Sequence, residues 1–272
     1  MQESLFSPEF QDTRPEYQHF QAPFYIGSGG WNYKDWVGPF YPPYLDNADW
    51  LSYYAARFPT VEIDSTFYGI PRESTVKNWR DRTPAEFVFS AKVPRIITHE
   101  HKLRDCKDLL YTFVDRMALL GEKLGPFLFQ FPPGFTVRYF DVLHDFLPVL
   151  PANFRFAVEV RDPAWLHEKF YHLLAANNVA LALTDSAYIQ KKSVVTADFT
   201  YIRWIGSHNS TIKYFGEIQR DRSRDLQDWA VVMAKKFAEN NLPVFGYFNN
   251  LYAGYSPGSV HQLYHIFQGL TK

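Results

Sequence analysis

The chain has 272 residues, 46% of them hydrophobic and 18% aromatic. That is the size and composition of one large globular barrel or two small domains. Its 28 Lys and Arg balance 29 Asp and Glu, for a formal net charge of -1, which excludes a global pull toward nucleic acid or an anionic membrane.

Met1 to Gln21 is polar and carries Glu3, Glu9 and Asp12. It lacks the basic and apolar regions of a signal peptide and reads as a tail or arm lying on a domain that runs from 22 to 272. Phe24-Tyr-Ile-Gly-Ser-Gly29 predicts a first strand leading into Gly30-Trp31. Its glycines permit a tight turn, but they do not form the GxGxxG phosphate loop. A helix is predicted over about Asn47 to Arg57, with Trp50, Leu51 and Tyr54 on one face. Thr60 to Asp64 is the second strand. Alternation puts Glu62 and Asp64 on one face, with Val61 and Ile63 on the other. A helix over about Glu73 to Arg82 precedes a third strand, Phe87 to Ala91, which ends in Lys92. The loop beyond it carries Thr98, His99 and His101. A long helix, about Cys106 to Lys123, repeats Leu109, Leu110, Phe113, Met117 and Leu120 at helical spacing.

Gly125 to Gln130 is the fourth strand, and a helix over about Arg138 to Leu147 leads to the fifth, Phe154 to Arg161. Here Glu159 and Arg161 share a face, and Pro163 ends the run. A helix over about Ala164 to Asn177 is followed by Val179 to Thr184, with Asp185 at its end. The connection to the seventh strand, Phe199 to Trp204, is irregular and has no helical pattern. Tyr201 and Arg203 share a face of that strand. A helix over about Arg224 to Glu239, a strand over Val244 to Phe248 running into Asn249-Asn250, and a helix over about Val260 to Gly269 complete the chain.

Strands that are apolar on both faces and separated by helices argue for a parallel sheet covered by helices. Eight such units predict an α/β fold, a single (β/α)8 TIM-like barrel; a doubly wound open sheet is the competitor. In such a barrel, functional groups project from the carboxyl ends of the strands. Those positions hold Glu62, Asp64, Lys92, Gln130, Glu159, Arg161, Asp185, Arg203 and Asn249, with Trp31, Tyr68, His99, Trp165 and Asn250 in adjoining loops. One such charge is more readily a structural ion pair; the set together points to a site.

Arg161, Arg203 and Lys92 are suited to clamp a carboxylate or phosphate. Glu159, Glu62 and Asp64 are the candidate acid/base carboxylates. Trp31, Tyr68 and Trp165 can stack on a ring or simply pack at the rim. No metal is expected: an HExxH motif is absent, His99 and His101 share one loop in which His101 reads as solvated, and the mouth would gather cations. No Gly-x-Ser-x-Gly elbow supports a serine hydrolase. No bound redox cofactor is implied. The single cysteine, Cys106, permits no internal disulfide and fits a reducing cytoplasm. No apolar run is long enough to span a membrane, so no membrane partner is expected.

Several motifs together resemble a known family. Gly29-Gly30-Trp31, Phe40-Tyr41-Pro42, Val61-Glu62-Ile63-Asp64-Ser65-Thr66-Phe67-Tyr68, Thr98-His99, Leu128-Phe129-Gln130-Phe131-Pro132-Pro133, Val158-Glu159-Val160-Arg161 and Tyr247-Phe248-Asn249-Asn250 resemble, in order, those of domain-of-unknown-function family 72, the YecE-like proteins. The resemblance implies a TIM barrel and a candidate site, and no reaction. The chain departs from the family pattern in having Asp64 where Asn is usual, Ile205 where a His often precedes the glycine, and Leu251 after Asn249-Asn250.

The residues point first to an enzyme acting on a small anionic, sugar- or nucleotide-like metabolite. In it Glu159 is the acid/base, Glu62 its partner, and Arg161 with Arg203 the anion clamp. The alternatives are a non-catalytic ligand-binding barrel and, less favoured, a nucleic-acid-processing barrel with Trp31 and Tyr68 stacking on a base.

Overall fold

The computed structural model describes residues 19–187, 189, 193–207 and 211–271. Its strands are β1 (Phe24–Gly29), β2 (Thr60–Ile63), β3 (Val88–Lys92), β4 (Leu124–Gln130), β5 (Phe156–Glu159), β6 (Ala180–Ser186), β7 (Thr200–Gly206) and β8 (Val244–Phe248). All neighbours pair in parallel and in sequence order, and β8 closes on β1, so the sheet is a barrel. The outer helices are α1 (Trp50–Ala55), α2 (Glu73–Asp81), α3 (Lys107–Ala118), α4 (Phe140–Phe146), α5 (Glu168–Ala176), α6 (Ser223–Val232) and α7 (Ser256–Thr271). Among the described residues between β6 and β7 there is no helix.

Strand alternation divides the apolar residues into two cores. One fills the barrel: Leu128, Ala157, Ala182, Tyr201, Phe245 and Tyr247. The other lies between strands and helices and includes Val61, Ile63, Phe129, Val158, Trp204 and Phe248. Trp204 stacks on Phe248 with ring centres 4.1 Å apart. The interior is not purely apolar. The Tyr247 hydroxyl lies 2.6 Å from Ser90 Oγ and 2.9 Å from Thr60 Oγ1, which satisfies three buried polar groups together.

The helix ends depart from the periodicity for local reasons. The helix predicted from Asn47 opens as a tight turn, Asn47–Asp49, capped by the Asp46 carboxylate on Ala48 N at 2.8 Å. That predicted from Ala164 begins at Glu168, because Pro163–Trp165 forms a separate turn and His167 caps α5. That predicted from Val260 begins earlier, at Ser256. Pro257 lies in its first turn, where a missing N–H costs nothing. The long α3 is shorter than predicted, because Gly121 turns the chain at φ +62. Of the expected N-terminal arm, residues 1–18 lie outside the described set. Phe20 is buried, with its ring 5.4 Å from Tyr264 and 5.5 Å from Phe267.

Candidate functional site

A buried ionic layer sits near the carboxyl ends of the strands. Arg203 on β7 donates from Nη1 to Glu159 Oε2 at 2.6 Å and from Nη2 to Glu62 Oε1 at 2.7 Å. Tyr201, two residues earlier and so on the same face, donates to Glu62 Oε2 at 2.6 Å. Gln130 on β4 donates to Glu159 Oε1 at 2.7 Å. Register explains the meeting: Gln130 pairs with Glu159 across β4 and β5. Every carboxylate oxygen of the two glutamates accepts a hydrogen bond, as buried charges require.

Above this layer opens a cavity of about 420 Å³. Among the described residues, Lys92, Arg95, Arg161 and Arg203 supply four cations to its lining, and Asp64 is the one carboxylate. His99, Gln130, Asn249, Phe67 and Tyr68 complete much of the wall, with Tyr68 at the rim and 80% exposed. The loop after β2 is tied to β3 by Thr66, whose hydroxyl reaches Ile63 O at 2.8 Å and Lys92 O at 2.7 Å. That fixes Asp64 and Phe67 against Lys92. Lys92 Nζ stands 3.7 Å from Asp64 Oδ1 and 4.4 Å from the Phe67 ring centre. Asp64 Oδ1 is buried and makes no hydrogen bond. A second space, about 260 Å³, adjoins the first through Arg161 and Ile205 and is walled by Pro133, Val160 and Thr184. Gly206 ends that wall at φ +74, where a Cβ would lie 2.4 Å from Leu251 O.

The electrostatics separate the two glutamates. Burial pushes Glu159 up, but Arg203, then Arg161 and the hydrogen bonds from Arg203 and Gln130, outweigh it and hold the carboxyl below its ordinary range. Burial dominates for Glu62; with Asp64 adding to the rise, its pKa is raised despite Arg203. Lys92 is lowered, by burial first, against the pull of Asp64. His99 falls from 6.5 to about 4 through burial and through Lys92, Arg161 and Arg95, so its ring is neutral near pH 7. Among the described residues no three His, Cys, Asp or Glu side chains group as metal ligands.

The structure therefore brings together Glu62, Asp64, Lys92, His99, Gln130, Glu159, Arg161, Arg203, Asn249 and Tyr68. Four predicted site residues are placed elsewhere. Trp165 is fully buried beneath Phe135, donating to its carbonyl at 2.7 Å. Asp185 pairs in register with Trp204 and points to the helix layer, where it accepts from Trp229 Nε1 at 2.9 Å and Tyr252 OH at 3.1 Å. Asn250 Oδ1 accepts from Ser256 N at 2.9 Å and Trp36 Nε1 at 3.3 Å, which anchors the start of α7. Trp31 packs edge-on against Trp79 at 5.9 Å, away from the cavity lining. Tyr201 was detectable from its alternation with Arg203. Ile205 was marked only as a departure from the family pattern, and Arg95 and Thr184 carry no signal of a site in the sequence. Cys106 precedes α3 and is buried, its thiol pushed up to about 11 by burial and Asp105, which suits a structural cysteine.

A family model described as "Protein of unknown function DUF72" matches residues 25–271. The chain is 31% identical over 212 residues to UPF0759 protein YecE of Escherichia coli (strain K12), covering 69% of this chain and 75% of that protein. It is 26% identical over 216 residues to UPF0759 protein YunF of Bacillus subtilis (strain 168), covering 75% of this chain and 72% of that one. A crystal structure of a DUF72 family protein from Thermotoga maritima MSB8 superposes with a TM-score of 0.71 at 24% identity, over 91% of this chain and 98% of that one. One from Enterococcus faecalis V583 does so with a TM-score of 0.72 at 20% identity, over 90% and 95%. Those two likenesses concern the fold alone. With the family model spanning nearly the whole barrel, and motifs and strand order in agreement, the chain belongs to the DUF72 family.

Proposed function

We propose that this protein is an enzyme that binds a small anionic metabolite at the carboxyl-terminal mouth of the barrel and acts on it by proton transfer to or from a carboxylate. One observation carries the proposal: among the described residues, four cationic side chains and a single carboxylate line one cavity of about 420 Å³. Arg161 is the best placed anion ligand. Its side chain is 31% exposed, and its ion pair to Glu159 is long, at 3.6 Å. It therefore has donors to offer in bidentate fashion.

The proton-transfer role moves from Glu159 to Asp64. Both oxygens of Glu159 are taken by Arg203 and Gln130, and it is held anionic, so it is a poor proton donor. Asp64 lines the cavity with its side chain partly exposed, and its buried Oδ1 has no hydrogen bond. Glu62 and Glu159 then act as positioning residues that hold the Arg203 guanidinium. A reducing cytoplasmic setting fits the buried free thiol of Cys106.

The test is to incubate the protein with pools of sugar phosphates, nucleotides and carboxylic acids, and to read product formation by mass spectrometry. Asp64→Asn should keep the ligand-induced rise in melting temperature and lose turnover. Binding without turnover in the unmutated protein, across the whole panel, would instead support the ligand-binding barrel. The observation favouring that second reading is that both buried glutamates are already fully hydrogen-bonded.

A further inference from the structure

The role of Lys92 goes beyond anion binding. It is the last residue of β3, and its ammonium lies in the cavity beneath the Phe67 ring. Its side chain is only 11% exposed, yet among the described residues Nζ makes no hydrogen bond. Its nearest carboxylate oxygen, Asp64 Oδ1, is 3.7 Å away and likewise has no hydrogen bond. That separation is too long for a direct hydrogen bond. It leaves an amine and a carboxylate side by side, on two residues that both line the cavity a ligand would fill. A lysine meant only to neutralise Asp64 would gain by closing the gap.

We propose that Lys92 is a nucleophile that forms an imine with a carbonyl-bearing anion, such as a 2-oxo acid or an aldehyde phosphate, with Asp64 as its proton-transfer partner. The inference rests on the anion-binding reading only for where the charged end sits, which is on Arg161 and Arg95. The Nζ lone pair attacks the carbonyl carbon, and the C–O π pair moves to oxygen, which receives the first of the two amine protons by way of Asp64; the second follows as water leaves. Asp64 accepts a proton from nitrogen and returns one to the hydroxyl, which leaves as water while the C=N bond forms. One amine and one carbonyl give one imine and one water, and no redox partner is consumed. Burial and the nearby Arg203 favour the uncharged amine, as this chemistry needs. A neutral His99, 5.0 Å from the Phe67 ring, adds no competing charge.

The experiment traps the imine. The full-length protein is incubated near neutral pH with pyruvate, glyoxylate or dihydroxyacetone phosphate, each with sodium cyanoborohydride, and digested for peptide mass mapping. Acetaldehyde serves as the uncharged probe. The expected result is a reduced adduct on Lys92, formed about tenfold faster than on the exposed Lys77, because the cavity seats the carbonyl beside the Lys92 amine. Because the site is mapped in the unmutated protein, the result does not depend on a folded variant. Lys92→Arg, if folded, should lose the adduct. Modification of Lys92 no faster than of Lys77 with every probe overturns the proposal. If anions still raise the melting temperature in that case, the anion site stands without the imine. Arg161→Ala should slow trapping of pyruvate and leave that of acetaldehyde unchanged. Trapping of pyruvate in that variant as fast as in the unmutated protein would keep the imine and overturn the anion seat.

Discussion

Arg203 and Glu159 meet across the barrel at 2.6 Å, from β7 to β5, and both are nearly devoid of solvent. The pair is the hub of the mouth. Through it the floor of the cavity is rigid, and Arg161 above it stays only loosely held. Two charges removed from water recover their hydration cost only when each is fully paired. Breaking the hub from either side should therefore be expensive.

Replacing Arg203 with Met keeps volume and strands two buried glutamates. The expected loss of stability is about 3–5 kcal/mol, the usual cost of removing one partner of a buried ion pair. Equilibrium urea unfolding measures it. A loss under about 1 kcal/mol would mean that the layer is wet or already protonated.

Glu159→Gln and Glu62→Gln should differ in sign with pH. The depressed pKa of Glu159 contributes stability that is present above pH 4.5 and lost as pH falls through the folded value. Glu159→Gln should thus cost about 1–3 kcal/mol near pH 7, and the cost should shrink below pH 4.5. The raised pKa of Glu62 acts in the other direction: its contribution is full below pH 4.5 and is lost as pH rises. The penalty of Glu62→Gln should therefore fall toward neutral pH. Parallel pH profiles for the two variants would contradict the assignment.

His99 supplies a third pH signature. Its pKa is 6.5 when unperturbed and about 4 in the fold, because of burial and of Lys92, Arg161 and Arg95. Its contribution to stability is present above pH 6.5 and is lost as pH falls toward about 4. His99→Gln should flatten the stability curve across that window. NMR titration of the His99 ring gives the same answer directly; a midpoint near 6.5 would show that the three cations do not crowd it.

Much of the barrel was legible because strand alternation is a strong signal. Glu62 with Asp64, and Tyr201 with Arg203, fall on the faces that period two requires, and the closed sheet follows the predicted order. What failed depends on register and loop path, which alternation in one strand cannot supply. Asp185 stands at a strand end like the residues that line the cavity, but its pairing with Trp204 turns it outward. Trp165 and Asn250 lie in loops that fold back under the mouth. Arg95 reaches the cavity from just before the helical turn Ile96–Glu100, a position without periodicity to mark it. The sequence also offers Glu159 as an acid/base candidate without revealing that both its oxygens are occupied.

The central claim, an anion site at the barrel mouth centred on Arg161, is tested most directly by a thermal-shift screen of the unmutated protein and Arg161→Ala. The panel holds sugar phosphates, nucleotides and carboxylic acids. A ligand that binds only the folded state raises the melting temperature, by about 2.7 kcal/mol of stabilisation at a hundredfold excess over Kd. The account predicts a clear rise with at least one anion, and its loss in Arg161→Ala, itself still folded. A rise that survives in Arg161→Ala, or no rise with any anion, would contradict it and leave the ionic layer as a structural plug.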